Sequence, residues 1–475
     1  LYMEHQCDVV VLGAGPAGYP AAFRAADLGQ KVVLVDPEAN PGGVCLYRGC
    51  IPSKALLHIA ALIDEAEESA EWGVTFSKPK IDIDKIRAYK DQVVTKMTGG
   101  TGMLRKARNI QHVQGYGSFV DANTLSVKNT EGKEEIVQFK HAIIAAGSRP
   151  TVLPHLDLDS PRVIDSTGAL ELKDIPKTML CIGGGIIGME LATVYAALGT
   201  KVSVVEMMPN LLGPTDPEFT RILLKRMKSR LGDIMTSTKV LGIKEVKGGI
   251  EVEFEGAKVK ETKQVFEKVL VCIGRVPNSE NLGLDKVGIV PNERGFINVD
   301  SQCRTNVPNI FAVGDIVGQP MLAHKGTHEA HVAAEVIAGH KVQFAPKTIP
   351  SVVYTNPEIA WCGVTEQEAE AQGLNYEVAK FPWAASGRAT ALSRTDGLTK
   401  MIFEKDTGRV LGVGITGVGA GELIGEGILA VEMAATAKDI ALSIHAHPTT
   451  TETLMECAEL FLGHCDHYIA PAKKK

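Results

Sequence analysis

Two glycine turns recur in this chain at a single offset. Asp8-Val-Val-Val-Leu-Gly13-Ala-Gly15-Pro-Ala-Gly18 runs through a helical stretch into Lys31-Val-Val-Leu-Val-Asp36. Met179-Leu-Cys-Ile-Gly183-Gly-Gly185-Ile-Ile-Gly188 runs likewise into Lys201-Val-Ser-Val-Val-Glu206. Gly13 to Gly183 is 170 residues (183 − 13), and Asp36 to Glu206 is again 170 (206 − 36). Equal internal spacing predicts two βαβ units of one build, hence two dinucleotides; the alternative is a second copy kept only as structure. In each unit the first glycine makes the tight turn, the second lets a pyrophosphate reach the backbone, and the third allows close helix–strand packing. The helix start then offers free N–H groups to phosphate, and the acid accepts hydrogen bonds from ribose hydroxyls.

The length fits this doubling, since 475 residues at about 150 per domain predict about three domains. Glycine makes up 48 of them, about 10% against a usual ~7%. A net charge of −6 lacks the basic excess of a nucleic-acid binder, and 45% hydrophobic residues exclude a disordered chain. Nine cysteines are too dilute, and odd in number, for a secreted disulfide scaffold. No apolar run reaches the ~18 residues of a membrane span, and no basic n-region or Arg/Ser-rich transit peptide opens the chain. The expectation is a cytoplasmic protein with neither membrane nor nucleic acid as partner, mitochondrial only if a transit peptide was removed. Leu1 and Tyr2 read as a remnant ahead of a natural start at Met3, and Lys473-Lys474-Lys475 as a solvated tail.

Glu206 favours a free 2′-hydroxyl and repels a 2′-phosphate, and the following Met207-Met208-Pro209-Asn210 brings no arginine, so the second unit is expected to take NAD rather than NADP. Ala142-Ile-Ile-Ala-Ala-Gly147-Ser-Arg-Pro150 and Val269-Leu-Val-Cys-Ile-Gly274-Arg-Val-Pro277 share a Gly-x-x-Pro ending and read as chain crossings between the two units.

Between the first unit's second strand and its next helix lies Gly42-Gly43-Val-Cys45-Leu-Tyr-Arg-Gly49-Cys50-Ile-Pro52-Ser-Lys54. Pro52 suits a first helical turn, which puts Cys50 at a helix start where the dipole favours thiolate. Lys54, four residues on, shares its face and adds positive charge. These features favour a redox pair. The C-x4-C spacing is also near that of zinc ligands, although no second ligand pair of matching spacing follows, and two buried structural cysteines are the remaining alternative.

The run Gly42-Gly43-x-Cys45-x4-Cys50-Ile-Pro-Ser-Lys54 resembles the redox signature of the FAD-dependent pyridine nucleotide–disulfide oxidoreductases, specifically their dihydrolipoamide-oxidising members of the Gram-negative bacterial type. The resemblance spans essentially the whole chain. It implies an α/β fold of two Rossmann-like domains, for FAD (1–149, completed by 277–348) and NAD (150–276), and a C-terminal α+β dimerisation domain (349–475). It implies a Cys45–Cys50 disulfide, with Cys45 attacked by substrate and Cys50 left as thiolate against the flavin. Thr305-Asn-Val-Pro-Asn-Ile-Phe-Ala-Val-Gly314-Asp315 is similar to the second FAD motif, with Asp315 on the ribityl chain, and Leu322-Ala323-His324-Lys325 would set the Ala323 backbone at the flavin ring. The FAD set implied is Gly13, Gly15, Gly18, Asp36, Gly43, Lys54, Gly117, Ser148, Asp315 and Ala323. The NAD or flavin-adjacent set is Gly183, Gly185, Ile187, Gly188, Glu190, Glu206, Val240, Ile273 and Gly274, with Glu190 paired to Lys54.

His445-Ala-His447-Pro448-Thr-Thr-Thr-Glu452 resembles the family's histidine–glutamate pair. A thiol nucleophile needs a base, and histidine titrates nearest neutrality. Glu452 would orient His447 and stabilise its imidazolium. On spacing alone His445 rivals it; Pro448 and Glu452 match the motif to His447. The same resemblance brings His447 from a partner subunit, so a homodimer is expected. The reaction implied is NAD+-linked oxidation of a dihydrolipoyl group carried by an E2 or glycine-cleavage H-type protein. Alternatives are an NADPH-dependent disulfide or mercuric reductase and a non-catalytic flavin-binding scaffold. Against the first stand Glu206 without arginines and the lack of an N-terminal C-x-x-C or a C-terminal cysteine pair.

The chain departs from the pattern in four places. Asp36 replaces a usual glutamate, and Pro20 falls early in the first helix. Tyr47-Arg48 replaces a usual Asn-Val, so Arg48 is expected to adjust disulfide reactivity or substrate entry. Cys457, His464, Cys465 and His467 form a tail cluster that reads as incidental rather than as a metal site.

Overall fold

The computed structural model describes residues 3–471; Leu1, Tyr2 and the lysine tail lie outside the described residues. The first unit comprises β1 (Met3–Leu12), α1 (Gly18–Asp27), β2 (Val32–Asp36), α2 (Gly43–Arg48), α3 (Cys50–Glu68), α4 (Ile83–Ala107), β3 (Gln111–Gln114), β4 (Tyr116–Asp121), β5 (Thr124–Lys128) and β6 (Glu134–Ile144). Its sheet runs β3-β2-β1-β6-β5-β4, with β1, β2, β3 and β6 parallel and β4 and β5 added antiparallel. Val9, Val10, Val11 and Val32 to Val35 are all buried, as expected of parallel strands covered on both faces. Pro20 is the third residue of α1, where its missing N–H has no intrahelical partner in any case.

The chain leaves through β7 (Ser148–Pro150) into a second parallel sheet. This sheet holds β8 (Val163–Ile164), β9 (Thr178–Ile182), β10 (Lys201–Val205), β11 (Ile234–Met235) and β15 (Lys268–Val271), ordered β11-β10-β9-β15-β8. Helices α5 (Ser166–Glu171), α6 (Ile186–Ala197) and α7 (Pro217–Met227) connect its strands, and an antiparallel flap β12 (Lys239–Val246), β13 (Gly249–Glu255) and β14 (Lys263–Phe266) covers one face. The chain returns through β16 (Arg275–Pro277), antiparallel to β7, so the two Gly-x-x-Pro segments lie side by side. β17 (Ile310–Ala312) then joins β6 in the first sheet, and α8 (Ala323–Ile337) packs on α1.

The C-terminal unit is an antiparallel sheet, β18 (Ser351–Val353), β19 (Glu358–Gly363), β20 (Tyr376–Pro382), β21 (Leu398–Glu404) and β22 (Val410–Gly417), ordered β18-β19-β22-β21-β20. It carries α9 (Glu366–Ala371), α10 (Gly387–Ala391), α11 (Ala420–Glu432), α12 (Ala437–Leu442) and α13 (Glu452–Leu462). Its core gathers Phe381, Trp383 and Phe403, each no more than 1% exposed. Lys400, on β21, anchors this unit to the second sheet. Its side chain is 4% exposed and donates to Asp216 (2.6 Å) before α7, to Glu366 (2.9 Å) and to Glu218. No helix among the described residues is long and apolar enough to cross a membrane.

Candidate active site

Both glycine turns are built alike, and the geometry separates what the chain needs from what a ligand needs. Gly13 (φ +102°) and Gly183 (φ +105°) sit where a Cβ would lie 2.2 Å from the Ala145 carbonyl oxygen and 2.1 Å from that of Cys272. A Cβ on Gly18 or Gly188 would strike the Gly13 or Gly183 carbonyl at 1.7 or 2.2 Å. The middle glycines differ: a Cβ on Gly185 meets nothing within 4 Å, and one on Gly15 meets only Gly43 Cα at 3.8 Å. The fold alone gives no reason for glycine there, whereas a pyrophosphate laid on the backbone does. Each acid braces its own turn. Asp36 accepts from the Ala14 N–H (2.7 Å) and Glu206 from the Gly184 N–H (2.8 Å), and each takes a second bond from the N–H two residues on. Burial raises the Asp36 pKa above the ordinary aspartate value. The residues present therefore fit two dinucleotides, one at each turn.

Around the first turn, Gly43 (φ +56°) packs on Gly15, where a Cβ would come within 2.4 Å of Gly15 Cα. A Cβ on Gly117 would meet Leu12 at 2.6 Å, so this edge of β4 lies close over β1. Gly314 and Gly326 pack equally closely on Ala17, setting Asp315 and the α8 start at Ala323 against the head of α1. Asp315 accepts from the Ser148 hydroxyl at 2.5 Å. Around the second turn, Ile187 is 40% exposed on α6, Val240 and Ile273 pack in one cluster, and Gly274 (φ +108°) turns the chain toward the crossing.

Cys50 is the first residue of α3 and solvent-accessible, while Cys45 lies half-buried on the short helix α2; both are thiols. Their acidities split. A hydrogen bond from Cys45, with Lys54 nearby, lowers Cys50 to about 7 against its desolvation. The same bond, with burial, pushes Cys45 well up. One thiol of the pair is thus poised as thiolate while its neighbour holds the proton.

Lys54 Nζ donates to Glu190 Oε2 at 2.9 Å and lies 4.4 Å from the Tyr354 ring centroid. The other Glu190 oxygen accepts from the Tyr354 N–H at 2.9 Å. Glu190, 4% exposed on α6, therefore joins α3 of the first unit to β18 and its following loop in the third. His447 Nδ1 bonds Glu452 Oε1 at 2.8 Å, and Glu452 Oε2 accepts from the Thr449 N–H at 2.8 Å. Against opposing desolvation, these bonds keep the Glu452 carboxyl below its ordinary pKa. The His447 side chain is 73% exposed, with Nε2 free to act. His445 is excluded as a rival, because its ring nitrogens bond Ser443 O and Glu426, both at 2.7 Å, and it is 7% exposed. Among the described residues, neither His447 nor Glu452 hydrogen-bonds the thiol pair of its own chain.

Residues 7–330 match the family model for pyridine nucleotide-disulphide oxidoreductases, and residues 349–458 match that for their dimerisation domain. This chain belongs to the pyridine nucleotide-disulphide oxidoreductase family. It is 54% identical to a dihydrolipoyl dehydrogenase of Vibrio cholerae over 473 residues, covering 99% of each chain. It is 53% identical to one of Haemophilus influenzae over 473 residues, covering 99% of this chain and 98% of the other. Among solved structures it resembles LpdA of Mycobacterium tuberculosis (TM-score 0.89, 24% identity, 96% and 99% coverage), a likeness of fold. It also resembles the HOCl-induced flavoprotein disulfide reductase RclA of Escherichia coli (TM-score 0.85, 26% identity, 95% and 99% coverage). Within the residues matched to the dimerisation domain, Leu429, Met433, Leu442 and Ile444 are each at least 63% exposed.

Three features of the site escape the sequence reading. Arg275 donates to both the Ser148 hydroxyl (2.8 Å) and carbonyl (2.7 Å), and burial lowers its pKa. Its only sequence signal is its place in the second Gly-x-x-Pro crossing. Lys325 and Glu329, 2.9 Å apart and 6% and 5% exposed, hold the Asp315 turn, Glu329 accepting from the Gly314 N–H at 2.7 Å. Their i,i+4 spacing on an alanine-rich face was the available signal. Arg48 pairs with Glu38, and the Tyr47 hydroxyl donates to Asn40 O at 3.0 Å. The Tyr47-Arg48 pair thus fastens α2 to the loop after Asp36.

Proposed function

We propose that this chain is a dihydrolipoyl dehydrogenase, an oxidoreductase that oxidises protein-bound dihydrolipoamide through Cys45 and Cys50 and reduces NAD+ to NADH. The observation that carries the reading is the thiol pair at the head of α3, with Lys54 four residues on, set beside two glycine-turn cradles, in a chain more than half identical to enzymes of that name along its length. FAD, when bound, supplies the two-electron link between the thiols and NAD+. Residues 1–149 with 277–348 hold FAD, 150–276 hold NAD, and 349–475 form the dimer interface.

The rest of the chemistry belongs to side chains. In the oxidised enzyme Cys45 and Cys50 would be joined as a disulfide; His447, oriented by Glu452 through Nδ1, accepts a substrate thiol proton at Nε2, and the resulting thiolate attacks Sγ of Cys45, breaking its bond to Cys50. Cys50 leaves as the thiolate that Lys54 and the helix start favour. The second substrate thiol then displaces Cys45, releasing the oxidised lipoyl group and leaving both cysteines reduced. Because His447 is exposed on the dimerisation domain and unbonded to its own thiols, it serves the thiol pair of the partner subunit. Glu206, with no arginine beside it, selects NAD over NADP. The lipoyl group arrives on an E2 or H-type carrier, and the compartment is the cytoplasm.

Turnover of dihydrolipoamide with NAD+, compared against glutathione disulfide and mercuric ion with NADPH, tests the reading. Faster turnover in the NADPH reactions overturns it.

A further inference from the structure

Lys54 lies one turn into α3 from Cys50, on a four-carbon stem that swings unless its end is held. Its side chain is 35% exposed, so water alone would leave it mobile. One contact is the Glu190 carboxylate at 2.9 Å. A weaker one is the Ser53 hydroxyl at 3.4 Å, which itself donates to Cys50 O at 3.0 Å. The third is the Tyr354 ring, whose centroid lies 4.4 Å from Nζ. An ammonium within about 6 Å of a ring face is attracted by the ring's quadrupole.

Tyr354 belongs to the C-terminal unit, directly after β18, and its own N–H donates to the second Glu190 oxygen at 2.9 Å. One residue thus steadies the ammonium twice, directly with its ring and through Glu190 with its backbone. The ring is backed in turn by the start of α11. A Cβ on Gly421 would lie 3.5 Å from Tyr354 Cε1, and the Gly421 N–H donates to Glu358 at 2.8 Å. Burial, with Glu358, Glu190, Glu422 and Cys50 nearby, raises the Tyr354 pKa, so the phenol stays neutral and the ring keeps its face for a cation.

We propose that Tyr354 is a positioning residue of the thiol site, its ring holding the Lys54 ammonium where that charge stabilises the Cys50 thiolate. The inference rests on the reading of Cys45 and Cys50 as the redox pair. The groups that bear on Cys50 are Cys45 from α2, Lys54 from its own helix, Glu190 from α6 and Arg275 from β16. Glu358 from β19 faces Lys54 as well. Lys54 and Arg275 favour the thiolate and Glu190 opposes it, so an ammonium released into solvent removes part of the favourable side while Glu190 stays. A side chain of the dimerisation domain thereby acts on the thiol pair of its own chain. The backbone bond to Glu190 survives substitution at 354, so a variant there isolates the ring.

Iodoacetamide labelling of the reduced holoenzyme across pH, with the Cys50 adduct located by peptide fragmentation, reads the midpoint of Cys50 ionisation. Tyr354→Leu should move it up by about 0.5–1 pH unit, part of the ~1–3 units that an adjacent opposite charge supplies. Tyr354→Met is the second non-aromatic variant, and either carries the test. Tyr354→Phe keeps the ring and should keep the wild-type midpoint. In a Lys54→Met background Tyr354→Leu should add no shift, which separates a lost seat for the ammonium from a general loosening of the contact between units. An unmoved midpoint in the non-aromatic variants, an equal shift in Tyr354→Phe, or an undiminished shift in the Lys54→Met background overturns the proposal. Turnover of dihydrolipoamide with NAD+ by the wild type is measured alongside; its absence overturns the redox reading, whereas the labelling midpoints judge Tyr354 by themselves.

Discussion

Replacing Cys45 by alanine removes the hydrogen bond that contributes most to the acidity of Cys50. That acidity lies near 7, against an ordinary value of 9.0. At pH 7 a thiol of pKa 7 is half ionised, whereas one of pKa 9 is ionised to about 1%, a difference of roughly 50-fold in thiolate. A more basic thiolate is also more nucleophilic, with a Brønsted coefficient of about 0.4–0.5, which returns ~6–10-fold over two pKa units. The net alkylation rate of Cys50 at pH 7 in reduced Cys45→Ala protein should therefore fall several-fold. Above pH 9 the variant should overtake the wild type, and the midpoint of the rate profile should move up by as much as ~2 units. Lys54 and the helix start are retained, so the shift stops short of the free-thiol value. Cys45→Ser keeps a donor at the same place and should hold the midpoint near that of the wild type. Iodoacetamide labelling followed by peptide mapping isolates Cys50 from Cys7, Cys181, Cys303, Cys362 and Cys457, all of which are buried. An unchanged midpoint in Cys45→Ala, or equal shifts in the alanine and serine variants, refutes the assignment of the acidity split to this bond.

The other expectations are briefer. Gly185→Ala should fold normally, because its Cβ meets nothing, yet raise the KM for NAD+ by about tenfold or more, with kcat less affected; an unchanged KM removes the pyrophosphate from that turn. His447→Gln and Glu452→Gln should each lower dihydrolipoamide oxidation by ~10²–10⁴-fold while sparing NADH oxidation by an artificial acceptor at the flavin; loss of both activities points instead to a structural role. Lys400→Met leaves Asp216 and Glu366 without their shared cation and should destabilise the chain by about 3–5 kcal/mol in urea titration; an unmoved midpoint contradicts the anchoring role.

What was legible in the sequence was local. The turns at Gly13 and Gly183, the acids closing them at Asp36 and Glu206, and Cys50 at a helix start all follow from conformational needs expressed within a few dozen residues. Resemblance, rather than spacing, linked Lys54 to Glu190, because no periodicity connects residues 136 positions apart. Arg275 and Lys400 act through partners brought near only by the crossings and by packing between units, so their charge alone gave no sign of a role. Arg48 drew attention by its nearness in sequence to the cysteines, whereas the contact it makes in the fold is with Glu38, ten residues back.

Glu190 sets a boundary on how this protein can be rearranged. The nucleotide-binding units look like interchangeable modules, each with its own sheet and glycine turn. Yet one carboxylate, rooted in the NAD unit, bonds a lysine of the FAD unit through one oxygen and the backbone after β18 through the other. A chimera that imports an NAD unit lacking a carboxylate at that helical position would leave Lys54 and the Tyr354 N–H facing a gap at the junction. Cofactor preference in such a protein can be transplanted as a short loop around Glu206 more readily than as a whole unit.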